Sequence, residues 1–475
     1  MTHPIIVWFR QDLRVYDNPA LQAACDKGQI IPLYIVDDEN AGSWANGSAS
    51  KVWLHYSLHD LNNELNNKLV IRKGDAKKII ENLVCDTCAA GVYWNRCYEP
   101  WRIKRDKDIK AFLESMDLDV KSFNGSLLWE PWTVLKDDDT PYKVFTPFYK
   151  KGCLNSAPPR EPVSRPASIR IDESFDASGN IDDLALLPKI RWDKDLVSQW
   201  DISMAGAGNK LDEFIKNGLR NYKEGRNFPA GNSVSKLSPY LHFGNISPNQ
   251  VWYAALHSRQ DGDKNRDHFL SELGWREFSY NLLYHFPSLP DENLQSKFDN
   301  FPWVTDNNVL EKWQKGITGF PIVDAGMREL YETGYMHNRL RMIVGSFLVK
   351  NLLIDWRHGE RWFWDCLFDA DLANNSAGWQ WIAGSGADAA PYFRIFNPTM
   401  QSEKFDPEGK YIKKFVPELK DLDPEYIHDP SAAPALVLRE SGVRLGENYP
   451  EPIVSHKETR ERALKAFESL KEKAA

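Results

Sequence analysis

Six cysteines in 475 residues, Cys25, Cys85, Cys88, Cys97, Cys153 and Cys366, are too few and too scattered for a disulfide framework. Cys85 and Cys88 make one CxxC, but a zinc site of the usual kind needs a second pair at matched spacing, and only Cys97 lies nearby. They read as buried or free thiols, and no residue is assigned to a metal. No run of about 18 apolar residues is present, so no membrane span is expected. The start of the chain lacks the charged stretch and apolar run of a secretory signal, and the expected compartment is the cytoplasm. Positive charge is not in excess either: 59 Lys and Arg against 67 Asp and Glu leave a net charge of −8. Wholesale basicity therefore cannot be the basis of nucleic-acid binding. GxGxxG and Walker-type glycine loops are absent, which argues against dehydrogenases and P-loop NTPases. No repeat of 20–50 residues is visible, which argues against a solenoid.

Tryptophan, in contrast, is abundant: its 18 copies equal the 18 tyrosines. Length sets a soft expectation of two to four domains. In the first third, short apolar runs alternate with helical patterns. Strands are expected at Ile5–Phe9, Ile30–Val36, Lys68–Arg72 and Gly91–Trp94, with helices at Lys51–Asn66 and Ala76–Val84. Asp17-Asn18-Pro19 offers a cap followed by a proline suited to a first helical turn. Strands separated by helices imply parallel βαβ units. The expected fold is thus an α/β domain over residues 1–130 with a parallel, Rossmann-like sheet lacking GxGxxG. An interdomain linker follows at 131–204, marked by Pro158, Pro159, Pro162 and Pro166, and an all-α domain at 205–475.

Helical periodicity is clearest over Asn338–Leu353. Leu340, Val344, Phe347 and Asn351 share one side, and Asn338, Arg341, Met342 and Gly345 another. Between residues 338 and 361 five basic residues, Arg339, Arg341, Lys350, Arg357 and Arg361, face two acids, Asp355 and Glu360. Interleaved with Trp356, Trp362, Phe363 and Trp364, they could grip a phosphate backbone while the rings stack bases, or form a solvated helix face with ion pairs. Glu272, Trp275, Arg276 and Glu277 share a helix, with Glu272 and Arg276 at i, i+4 spacing. That is either a surface pair or a carboxylate beside an aromatic wall. Asp369 to Trp381 concentrates carboxylates, amides and indoles, groups whose burial costs free energy without partners. A polar heteroaromatic cofactor beside Arg341 would supply partners; a capped helix start with two core tryptophans reads similarly.

Several strings together resemble the photolyase/cryptochrome family: Val7-Trp8-Phe9-Arg10-Gln11-Asp12-Leu13-Arg14 with Asp17-Asn18-Pro19-Ala20-Leu21, then Thr318 to Ala325, Met336 to Met342, and Trp379-Gln380-Trp381. The likeness runs from about residue 5 to 460 and is closest to the class I cyclobutane pyrimidine dimer photolyases. It implies an antenna domain, a long linker and a helical domain holding FAD beneath a hole for a flipped dimer. Tyr222, Val234, Ser235, Lys236, Leu237 and Ser238 would cradle the FAD phosphates, Val234 standing where the family often has Thr. Arg341 would pair with Asp369 near the flavin, Asp371 would fix the cofactor, and Asn375 would face flavin N5. The match gives Glu272, Trp275, Asn338, Met342 and Trp381 as the dimer pocket, with Arg339 and Gln401 toward the DNA. Trp379, Trp356 and Trp303 match an electron relay.

The activity so implied is repair by light-driven electron transfer from FADH⁻ to the dimer, with Glu272, Asn338 and Met342 at the reacting site and pyrimidine-dimer DNA as partner of a monomeric enzyme. The antenna would be 5,10-methenyltetrahydrofolate or 8-hydroxy-5-deazaflavin. After Tyr98-Glu99 the chain reads Pro100-Trp101-Arg102 where some folate-binding relatives have Asn-Glu, and Lys51-Val52-Trp53-Leu54-His55 lies where the family lines the antenna pocket. The rival reading is a blue-light photoreceptor of the cryptochrome type, with the same fold and FAD. Plant-type cryptochromes carry Asp and animal-type ones Cys at the position of Asn375, so Asn375, Met342 and the Glu272 pocket point to repair. The expected last helix, Lys457–Lys473, leaves no long signalling tail.

Overall fold

A computed structural model describes residues 3–173, 179–258, 262–392 and 394–472. By packing, these fall into two compact units. The first comprises residues 1–220, 235–287 and 368–373, and the second residues 221–234, 288–367 and 374–475.

The first unit is built on a parallel sheet in the order β3-β2-β1-β4-β5, from β1 (Ile5–Phe9), β2 (Gln29–Val36), β3 (Val70–Lys73), β4 (Gly91–Asn95) and β5 (Asp119–Phe123). A two-residue strand, β6 (Arg170–Ile171), pairs with the start of β2 from within the segment read as linker. All five residues of β1 are buried, as expected of a central strand covered on both faces. Asn18 caps the helix Pro19–Lys27 by accepting from the Leu21 N–H at 3.0 Å, with Pro19 in the first turn. Trp8, Leu33, Val92, Trp94 and Ile109 belong to one core cluster.

The string that opens the chain is a buried polar lattice. Asn95 donates to Asp12 at 2.5 Å and to Asn18 at 2.7 Å, and the Arg14 guanidinium donates to the carbonyls of Asp17, Gly125 and Gly244 at 2.6–3.1 Å. Gly244 has φ +72°, and a Cβ there would stand 2.2 Å from the Gln11 carbonyl oxygen. Only glycine permits this approach. Helices expected to belong to the all-α part, Ser238–Phe243, Pro248–His257 and Lys264–His285, lie in this unit. Trp53 is anchored among them by donating to Asn245 at 3.0 Å.

The second unit is helical. Asn338–Ser346 continues as a π-helical turn over Phe347–Asn351, and both sides are in use: Leu340, Val344, Phe347 and Asn351 are buried, whereas Arg341 and Met342 are half-buried. Thr318 to Ala325 forms a structural latch. The Asp324 carboxylate accepts from Thr318 N and Oγ1, both at 2.7 Å, from Gly319 N at 3.0 Å and from Tyr449 Oη at 2.8 Å. The last helix, His456–Glu472, packs Ala463 and Leu470 against Phe298, Phe301 and Tyr392. Among the described residues no helix is long and apolar enough to cross a membrane.

Candidate functional site

In the first unit, the helix Lys264–His285 carries two of the residues expected at the dimer pocket, Glu272 and Trp275. Trp275 is stacked on Phe145, with centroids 3.8 Å apart and planes at 12°, so its orientation is fixed. Glu272, one turn earlier on the same helix, is half-buried and meets His268 at 3.8 Å. The i, i+4 pair of Glu272 with Arg276 does not form. Arg276 turns instead to Glu277 at 3.0 Å and lies over the Tyr280 ring at 4.8 Å, because Glu277 is buried and demands compensation. Glu277 also accepts from Leu128 N at 2.8 Å and Trp129 N at 3.1 Å, yet burial pushes its carboxyl up to about 7.

Asp371 is the opposite case. Burial opposes its charge, but His242 at 3.7 Å, Arg276 and a hydrogen bond from Tyr280 Oη outweigh burial and hold the carboxyl at about 2. Asp371 is thus a buried anion at neutral pH. Asp369 is also buried. The Ser235–Ser238 segment turns through Lys236, a non-glycine residue at φ +53°, which brings the Leu237 N–H to 3.4 Å from Ser235 Oγ. Leu237 is buried, whereas Lys236 and Ser238 are exposed.

Also in this unit, a cleft opens at the carboxyl ends of β1 and β2, where open α/β sheets bind ligands. Its lining includes Arg10, Tyr34, Asp37, Trp44, Trp101 and Arg102. Leu54 reaches it too, but Trp53 does not line it, because its indole is committed to the core. Arg102 lies 4.7 Å from the centroid of Trp101 and pairs with Glu99 at 3.3 Å. Burial disfavours its charge, but Glu99 and Cys97 more than compensate and raise its pKa.

In the second unit, the Asn375 Nδ2 donates to the Glu360 carbonyl oxygen at 3.0 Å. This bond fixes which end of the amide is the donor and leaves Oδ1 as its acceptor end. Ser376 Oγ donates to Glu360 Oε1 at 2.5 Å, and burial pushes the Glu360 carboxyl up to about 8, so it is mostly protonated at neutral pH. Gln380 is a saturated structural amide, donating to the Leu289 and Glu292 carbonyls, both at 2.7 Å, and accepting from Leu294 N at 2.9 Å. Its neighbours diverge: Trp379 is buried and Trp381 half-buried.

Trp379 and Trp356 are both buried, and Trp303 is partly exposed, against Phe301 at 4.4 Å. Gly359 lets Trp379 lie against the helix Trp356–Cys366, one turn from Trp356; a Cβ at that position would stand 2.1 Å from the Trp379 ring. Trp356 Nε1 donates to Asn293 at 3.0 Å, whereas Trp379 Nε1 is buried without a hydrogen-bond partner.

Asn338 is exposed, and Met342, Val234 and Gln401 are half-buried. Arg341 donates to the Met336 carbonyl at 2.8 Å, and Tyr222 is buried under the Arg226 guanidinium at 5.5 Å. Arg339 is held in place, over the Phe405 ring at 4.2 Å and bonded to Asn227. The basic stretch is less available than its sequence implies. Lys350 is buried and donates to the Arg394 carbonyl at 3.0 Å, while Arg357 pairs with Asp355 at 3.0 Å and Arg361 with Asp291 at 3.3 Å. Burial and Arg394 bring Lys350 down to about 8.

Arg226 and His242 stand outside the motifs that carry the family resemblance, and in the sequence Glu360 reads only as a charge offsetting the arginines.

Residues 5–167 match the DNA photolyase family model, and residues 269–469 match the FAD-binding domain of DNA photolyase. The chain is 48% identical over 476 residues to a deoxyribodipyrimidine photo-lyase of Agrobacterium fabrum, covering 99% of this chain and 98% of that protein. It is 38% identical to cryptochrome-2 of Arabidopsis thaliana, covering 99% of this chain and 80% of that one. The crystal structure of a bacterial class III photolyase from Agrobacterium tumefaciens superposes with a TM-score of 0.96 at 47% identity, over 99% of this chain and 98% of that one. The class I expectation is therefore not supported. The strings behind it serve the fold in part: Asp12, Arg14 and Asn18 form the buried polar lattice of the first unit and Thr318 to Asp324 the latch of the second, so they mark the family and not the subclass. The chain belongs to the DNA photolyase family, pairing a parallel-sheet α/β domain with a helical FAD-binding domain.

Proposed function

We propose that the protein is a deoxyribodipyrimidine photo-lyase of the class III type, splitting cyclobutane pyrimidine dimers in DNA under blue light. The observation that carries this reading is the Glu272–Trp275 wall: an indole locked by Phe145 one turn from a half-buried carboxyl, suited to an apolar dimer with a polar edge. Near-complete coverage of a deoxyribodipyrimidine photo-lyase at 48% identity supports it.

FAD is held by Tyr222, Val234, Ser235, Lys236, Leu237, Ser238, Arg341, Asp369, Asp371 and Asn375. Within the second unit the buried Trp379 Nε1 has no hydrogen-bond partner, and an acceptor atom of a polar heteroaromatic cofactor would supply one. Reduced FAD, when bound, supplies the photoexcited electron that opens the cyclobutane ring and is afterwards recovered. The residues of the chain bind, orient and exclude water. Glu272 hydrogen-bonds a thymine edge, Trp275, Met342 and Trp381 enclose the apolar ring, and Asn338 orients the bases. Arg339 and Gln401 face the DNA, which binds chiefly through its phosphates. Trp379, Trp356 and Trp303 return electrons to oxidised cofactor; the partial exposure of Trp303 fits the outer end, where an indole proton can reach solvent.

Functionally the chain divides into an antenna domain at 1–130, a linker at 131–204 and a helical domain at 205–475, and it acts as a cytoplasmic monomer. The cleft lined by Tyr34, Trp44, Trp101 and Arg102 takes a planar antenna, methenyltetrahydrofolate or a deazaflavin. Illuminating the pre-reduced protein with a duplex carrying one thymine dimer inside a restriction site should restore cleavage of that site. Failure to restore it, with intact flavin and intact binding of the duplex, overturns the repair reading in favour of photoreception.

A further inference from the structure

The helix Ser48–Glu64 presents His55 and His59 one turn apart, and a 3₁₀ turn over Ile181–Leu184 brings Asp182 to both. The two Nε2 atoms each stand 3.9 Å from the same Asp182 Oδ1, and the imidazole centroids are 4.6 Å apart. One ligand atom from each of the three residues lies within 4.8 Å of the others. None of these contacts is a hydrogen bond at that distance. His55 is only 5% exposed, and its Nδ1 has no hydrogen-bond partner. The nitrogen that faces Asp182 is Nε2, which offers its lone pair to the cluster in the tautomer that carries the proton on Nδ1.

We propose that His55, His59 and Asp182 bind a divalent transition-metal ion of the zinc class, through one nitrogen of each histidine and one carboxylate oxygen, with water completing the shell. Histidines at i and i+4 converge on one face of a helix, which is the spacing that chelates such an ion. Metal bonds of about 2.0–2.2 Å place ligand atoms roughly 3–3.5 Å apart, so separations of 3.9 Å and at most 4.8 Å must close by roughly 0.4–1.8 Å. The movement falls on the mobile partners: the side chain of Asp182 is 65% exposed and that of His59 43% exposed. Arg191, whose charge acts on His55, is neutralised by a two-pronged pair with Asp193 at 2.7 and 2.8 Å. The mixed nitrogen and oxygen donors favour zinc-class ions over magnesium or calcium. Bound there, the ion fastens the segment that enters the helical half of the sequence to a helix of the α/β core. It closes a loop of more than a hundred residues without taking part in photochemistry.

The test is isothermal titration of zinc into chelator-treated, flavin-loaded full-length protein carrying Cys85→Ser and Cys88→Ser, which removes the exposed thiols. One saturable ion per chain is expected, with affinity falling about tenfold or more in both His59→Ala and Asp182→Asn. Flavin absorbance in both variants should match the parent, showing that they are folded. Absence of saturable binding, or binding unchanged by the two substitutions, overturns the proposal.

Discussion

Asn375 hands an amide hydrogen to the backbone carbonyl of Glu360 across 3.0 Å, tying the residue assigned to flavin N5 to the helix that carries Trp356. An aspartate at that position would set oxygen against oxygen unless it were protonated. Asn375→Asp is therefore expected to lose about 1–3 kcal/mol of stability at pH 8, with much of the loss recovered at pH 5. The sign follows from a folded-state pKa raised above the unfolded value, so stability falls as pH rises. Denaturant melts at the two pH values check it, and equal loss at both would contradict it.

Glu360 gives a second pH signature. Burial pushes its carboxyl up to about 8, so the folded protein holds a proton that the unfolded chain releases near pH 4–5. Stability should decline by on the order of a few kcal/mol as pH rises through that window and level off above about pH 8. Glu277, raised to about 7, adds the same sign over the lower part of the window. Glu360→Gln should flatten the slope without removing the Ser376 contact. An unchanged pH profile of the denaturation midpoint would show that Glu360 ionises freely.

Asp371 behaves in the reverse sense. Its carboxyl is held near 2, so its stabilising contribution is present above the unfolded value of about 4 and is lost as pH falls toward 2. Asp371→Asn strips the charge that balances Arg276 and weakens the contact to His242. The variant is expected to lose FAD during gel filtration, as read by the ratio of flavin to protein absorbance. Full retention would remove Asp371 from the cofactor-holding set.

Trp379→Phe should slow photoreduction of oxidised flavin by at least about tenfold while leaving repair by chemically reduced enzyme near the parent level. Gly359→Ala perturbs the same ring sterically and should cost about 1–3 kcal/mol through overpacking. Flash photolysis and denaturant unfolding separate the two effects. Normal photoreduction in Trp379→Phe would end its role as the first relay member.

Glu272→Ala should lower the yield of dimer splitting while FAD content stays at the parent level, since Glu272 is assigned to the substrate and not to the cofactor. Its partial exposure and the independent anchoring of Trp275 by Phe145 separate the loss from general unfolding. Quantum yield and flavin stoichiometry measured on one preparation decide it; an unaltered yield would remove Glu272 from the reaction.

Local signals carried much of the fold into view. Asn18-Pro19 announces a capped helix, the apolar runs from Ile5 and Ile30 announce buried parallel strands, and the side shared by Leu340, Val344 and Phe347 is buried as its spacing requires. What remained hidden depends on contacts distant in sequence. The burial of Lys350 is set by the segment around Arg394, so composition read it as surface charge. Arg276 could not be separated from Glu272 by spacing alone, because the competing acid, Glu277, is its immediate neighbour. Subclass was illegible for a related reason, since strings such as Asp12 to Asn18 and Thr318 to Asp324 answer to contacts that hold the fold together. His55 and Asp182 are 127 positions apart, and only the 3₁₀ turn reveals that they meet.

The most direct test of dimer repair is to mix the protein, pre-reduced under nitrogen, with ultraviolet-irradiated oligothymidylate and follow absorbance near ~260 nm under blue light. Recovery of thymine absorbance only in the light is the expected result. No recovery from flavin-loaded protein that photoreduces normally would contradict it.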